Sequence, residues 1–170
     1  MSQELITYII LGSHNRLKNL KTPALDKSEE YIFANFKNKN EIVSKIDYLV
    51  TNANGRIIVL LPPSCIPDQR SKKALKKISM IDISTWGWFD VRSKENDIFS
   101  HFKKISTNIR SIPRLDQGIF FNKRLYFSIG GIGNFGVKPF KEISKRLYSR
   151  IDPQNPLPSL IIRTKNLNLF

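Results

Sequence analysis

Ile57-Ile58-Val59-Leu60-Leu61, ended by Pro62-Pro63, constrains this chain more than any other feature. Five consecutive apolar, mostly β-branched residues read as a strand covered on both faces, and the proline pair cannot extend a hydrogen-bonded ladder. Asn54-Gly55 opens the run. Before it, Ile42, Val43, Ile46, Leu49 and Val50 recur at helical spacing between Asn40 and Asn52. Leu5 to Leu11 forms an earlier β-rich run ending at Gly12-Ser13, and Tyr31-Ile32-Phe33-Ala34 is a shorter one. Strand, helix and strand joined by short turns predict a βαβ unit, and hence an α/β domain with a largely parallel sheet.

The rest of the chain predicts shorter pieces. A short helix is expected between Asn15 and Leu20. After Pro67-Asp68, residues 69–79 should form a helix with Ala74, Leu75 and Ile78 inside and Lys72, Lys73, Lys76 and Lys77 outside. Residues 84–91, carrying Trp86, Trp88 and Phe89, are strand-like. Ile98, Phe102, Ile105 and Ile109 predict an amphipathic helix over about 95–110. Asp116-Gln117-Gly118 reads as a turn before Ile119-Phe120-Phe121. A helix over residues 140–149 and a last strand at Leu160-Ile161-Ile162 complete the expected order.

At 170 residues this is one domain, with 41% apolar residues to form a core. Apolar runs stay short of the roughly 18 residues a membrane span needs. Met1-Ser2-Gln3-Glu4 lacks the basic start of a secretory signal, so a cytoplasmic protein is expected. The formal charge is +14. Residues 1–68 carry 8 basic and 7 acidic groups, residues 69–170 carry 20 and 7. AT-rich coding also enriches lysine, isoleucine and asparagine, but it acts evenly along a chain.

Cys65 excludes an internal disulfide, and neither His14 nor His101 has a ligand neighbour, so no metal site is expected. Gly131-Ile132-Gly133-Asn134-Phe135-Gly136 fits the dinucleotide glycine pattern. That use requires Leu125–Ile129 to be a strand and an acid to close the following one, and no such acid is present; the alternative is a glycine loop. The lysines of the two basic helices are not interleaved with aromatics, which favours a solvated face over a nucleic-acid surface.

In combination the segments resemble a family 2 glycosyltransferase of the GT-A type, in the small bacterial branch. Tyr8 to Leu20 looks like its opening strand and turn, and Gly55 to Asp68 like the strand that delivers the metal-binding Asp-x-Asp. Trp86-Gly87-Trp88-Phe89, Asp116-Gln117-Gly118-Ile119-Phe120-Phe121, Gly130-Gly131-Ile132 and Glu142 to Leu147 follow in the family's order. The resemblance implies a reduced GT-A-like, Rossmann-like domain over 1–170, with a nucleotide-binding half at 1–68 and a basic acceptor-side half at 69–170. It makes residues 123–129 helical.

It also implies binding of a nucleotide-diphospho-sugar at Ser13, Asn15, Asn35, Ser64, Arg16 and Arg114, with Asp116 and Glu142 as the surviving catalytic acids. An anionic or carbohydrate acceptor and a peripheral membrane contact would suit the basic half. The divalent metal is in doubt, because Pro62, Pro63 and Ser64 replace the Asp-x-Asp. Pro139 and Phe140 stand where the family has its acidic pair. A transferase of metal-independent chemistry and an inactive domain binding a sugar, a nucleotide or a protein both follow, with a basic module for nucleic acid or anionic membrane as the third reading.

Overall fold

The structure is a computed structural model that describes residues 5–81, 83–90, 112–164 and 166–170. The helix expected over 95–110, with His101, Lys103 and Lys104, lies outside the described residues.

In chain order the elements are β1 (Ile6–Ile10), α1 (His14–Leu17), β2 (Glu29–Phe33), α2 (Ile42–Asn52), β3 (Ile57–Leu61), β4 (Cys65–Ile66), α3 (Gln69–Met80), β5 (Trp86–Gly87), β6 (Ile119–Asn122), α4 (Lys123–Ser128), α5 (Lys141–Tyr148) and β7 (Ile161–Ile162). Two short 3-10 turns, Lys39–Glu41 and Leu115–Gln117, precede α2 and β6.

Five strands form one sheet in the order β2-β1-β3-β6-β5. β1 is parallel to both β2 and β3, as the βαβ reading requires. β6 runs antiparallel to β3 and to β5, so the sheet is mixed rather than largely parallel. The difference lies in β6 alone: α3 comes between β3 and β5, which run in the same direction, and β6 enters between those two strands in the opposite one. β5 is also shorter than expected: beyond Gly87 the chain leaves the sheet, and Phe89 bridges Leu157 instead. β7 pairs with β4 in a separate two-stranded ribbon.

Every residue of β1 and β3 is buried, since both faces of the sheet are covered. Alternation sends Ile9, Ile58 and Leu60 to one face, with Ile46 and Val50 of α2, Tyr126 of α4, Ile143 and Leu147 of α5, and Trp86. It sends Tyr8, Ile10, Val59 and Leu61 to the other, with Leu75 of α3, Phe89 and Phe120. Full burial of each such aliphatic side chain contributes about 1.5–3 kcal/mol.

Caps set the helix starts. Asn38 Oδ1 accepts from the Asn40 and Glu41 amides at 3.0 and 3.2 Å, and Asp68 Oδ1 accepts from the Ser71 amide at 2.7 Å. After α2 the chain turns at Gly55, where a Cβ would lie 2.4 Å from the Thr7 nitrogen. This approach lets the Gly55 amide donate to Thr7 Oγ1 at 2.9 Å.

Two lysines expected on the outer face of α3 are committed to partners. Lys72 Nζ lies 3.2 Å from Glu29 Oε2, a buried carboxylate, and Lys76 pairs with Asp26. A second link joins distant parts of the chain: the Tyr126 hydroxyl and the Ile132 amide donate to Asp47 of α2. α4 occupies the place where the dinucleotide reading needs a strand, which removes that reading.

Candidate functional site

The β1-to-β2 connection leads to one side of β1 and the β2-to-β3 connection crosses to the other. Strand order therefore reverses between β1 and β3, and a crevice outside their carboxyl ends is the expected ligand position in an open α/β sheet. The sequence-selected residues Ser13, Asn35 and Ser64 fall at the carboxyl ends of β1, β2 and β3 respectively. Asn35 (φ 52°) and Ser64 (φ 61°) are the non-glycine residues with left-handed backbone among those described. Asparagine tolerates that region through its short polar side chain, whereas serine there is strained, as is common beside binding sites.

Asp116 and Arg114 meet at the same edge. Their 3-10 turn precedes Gly118, whose close approach to the Leu60 carbonyl oxygen, 3.0 Å from an added Cβ, holds the turn on the end of β3. Arg114 Nε donates to Asp116 Oδ1 at 2.9 Å and Nη2 to Oδ2 at 2.7 Å, a bidentate fork. Both carboxylate oxygens are thus engaged by the guanidinium. Arg114 Nη1 is buried without a hydrogen-bond partner. Cys65 is near enough to feel Asp116: burial first, and then that carboxylate, push its thiol up to about 12. A buried thiol held neutral in this way is a packing residue and not a nucleophile.

The edge is crossed by the chain's own last segment. β7 pairs with β4, the Arg163 amide donates to the Ser64 carbonyl at 3.0 Å, and the Ser13 amide donates to the Leu169 carbonyl at 2.6 Å. Arg16 donates to the carbonyls of Asn166 (2.6 Å) and Asn168 (3.0 Å). Leu167 and Leu169 pack on the two cores, and the Phe170 ring stacks on Phe36 at 6.4 Å. Arg16 and the Ser13 amide, two groups selected for the nucleotide, therefore bind this segment. Sequence reading missed it; its signal is the alternation Leu167-Asn168-Leu169.

Asn15 is exposed on α1. Glu142 stands apart: on α5 its carboxylate accepts from Arg146 Nε at 3.1 Å, and it lines a cavity of about 420 Å³ with Lys138, Lys141 and Lys145. No contact among the described residues joins it to Asp116. A further cavity of about 370 Å³, lined by Arg56, Lys123 and Arg124, lies at the opposite, amino end of β3.

The residues do not fit the divalent ion of the family pattern. Pro62 and Pro63 are buried and carry no side-chain donor atom, and no three His, Cys, Asp or Glu side chains gather among the described residues. Nor is any described helix long and apolar enough to cross a membrane. No family model and no curated protein matches the chain.

Proposed function

We propose that this chain is a glycosyltransferase-like domain that takes the diphosphate of a nucleotide-sugar at the carboxyl edge of β1 and β3, with Arg114 as the cation. The buried, unpartnered Nη1 of Arg114 carries this reading. A buried donor without an acceptor is uncommon and fits a site built for an anion. Asp116 then acts as a positioning residue: its bidentate hold fixes the plane of the guanidinium and leaves Nη1 without a protein acceptor. This differs from the catalytic role implied by the resemblance, because a carboxyl group acting on the acceptor needs an oxygen turned toward the attacking hydroxyl.

A non-catalytic form of the same domain is the second reading, favoured by the segment lying over Ser13 and Arg16. Calorimetric titration with UDP-glucose and GDP-mannose, with and without manganese, tests the first reading. Binding without manganese, weakened at least about tenfold in Arg114→Gln, supports it. No binding under any condition, or binding that requires manganese, contradicts it. Binding without release of UDP or GDP in the presence of carbohydrate acceptors selects the second.

A further inference from the structure

On the α3 face of the sheet, a cavity of about 310 Å³ opens beside β2, between the loop after α1 and the segment that crosses the carboxyl edge. Tyr31 and Phe33 line it from alternate positions of one strand, so their rings project on the same side. Leu20 adds an apolar wall, while Lys21, Ser64 and Arg163 supply its polar rim. Two cations line the cavity and no Asp or Glu does.

The Tyr31 hydroxyl is buried and has no hydrogen-bond partner. Its neighbour Tyr8, with ring centroid 4.7 Å away, instead donates its hydroxyl to Glu29. A buried donor without an acceptor is uncommon, and the cavity beside it is walled by the apolar side chains of Ile10, Leu20, Phe33 and Ile66. The size suits a small ligand, and aromatic walls with a few convergent polar groups are the usual make-up of such sites. Burial first and then the Glu29 carboxylate push the Tyr31 hydroxyl up, and Arg163 acts in the opposite sense, so a cation and a carboxylate already paired with Lys72 both act on this hydroxyl.

We propose that this cavity is a binding site for a small aromatic anion, its ring against Tyr31 and Phe33, its phosphate or carboxylate at Arg163 and Lys21, and one acceptor atom on the Tyr31 hydroxyl. Arg114 and Asp116 do not line it, and although Ser64 borders both places, Tyr31 and Arg163 belong to this cavity and distinguish it from the diphosphate reading.

Titration of the isotope-labelled protein with phenyl phosphate, followed by amide chemical shifts, tests the proposal, with benzoate, phenol and inorganic phosphate run in parallel. The expected result is saturable shifts at Phe33, Ser64 and Arg163 with phenyl phosphate or benzoate. Arg163→Gln weakens binding about tenfold and Tyr31→Phe about threefold. Tyr31→Phe keeps the ring in place and leaves UDP-glucose binding unchanged, so failure here is distinct from failure at Arg114. Absence of saturable shifts up to roughly 10 mM overturns the proposal. So does equal binding of inorganic phosphate or phenol, or wild-type affinity in Tyr31→Phe.

Discussion

Residues 5–61 build the parallel part of the sheet from sequence neighbours, each strand followed by its own connection and the pairings β1-β2 and β1-β3 closing in register. Residues 112–170 contribute pieces whose partners are remote: β6 against β3, β7 against β4, and a final segment over the ends of β1 and β2. The comparison teaches that the charge division at residue 68 is not a division of fields. Lys72 and Lys76 of the basic part neutralise Glu29 and Asp26 of the near-neutral part, so some of the excess is internal pairing across the two regions.

The largest effect that sharpens the comparison is expected from alkali. Burial raises the hydroxyls of Tyr8 and Tyr31 in the first region and of Tyr126 in the second above their ordinary 10.0, and the Cys65 thiol from 9.0 to about 12. A raised folded value means stability that is complete below the unfolded value and lost as pH rises. The melting temperature should hold to about pH 9 and then fall steeply, while a profile flat to pH 12 would contradict the burial of these groups.

Next come the core substitutions. Ile58→Ala in β3 should cost about 2–5 kcal/mol and Trp86→Ala in β5 about 3–5 kcal/mol in urea unfolding. Each should shift one common transition. Two separate transitions would break the picture of regions sharing a single sheet.

Lys72→Met leaves the Glu29 carboxylate buried without its cation, at about 3 kcal/mol. Adding Glu29→Gln should recover part of that loss. Smallest is Arg16→Gln, which removes two bonds to the last segment, at about 1 kcal/mol, read as earlier proteolysis within residues 161–170.

The first region was legible because its signals are local. Continuous apolar runs marked β1 and β3, the helical period marked α2, and Asp68 marked the start of α3. The antiparallel return of β6 left no local trace, because the continuous apolar run Ile119-Phe120-Phe121 serves either direction. Of the candidate site only positions were legible: Ser13, Asn35 and Ser64 lie just beyond strand ends, and Arg114 and Asp116 at the same edge. Their chemistry was not. The fork between Arg114 and Asp116 depends on a 3-10 turn, and the engagement of Arg16 depends on carbonyls some 150 residues away in the chain. The buried Glu29 was likewise hidden, because its cation comes from another helix.

Amide chemical-shift mapping with UDP-glucose tests the central claim most directly, because it reports position as well as affinity. The account predicts saturable shifts at residues 12–13, at Ser64 and at 114–118, accompanied by shifts in 166–170 as the overlying segment responds. Shifts confined to the amino end of β3 around Arg56 and Lys123, or no shifts at all, would contradict it.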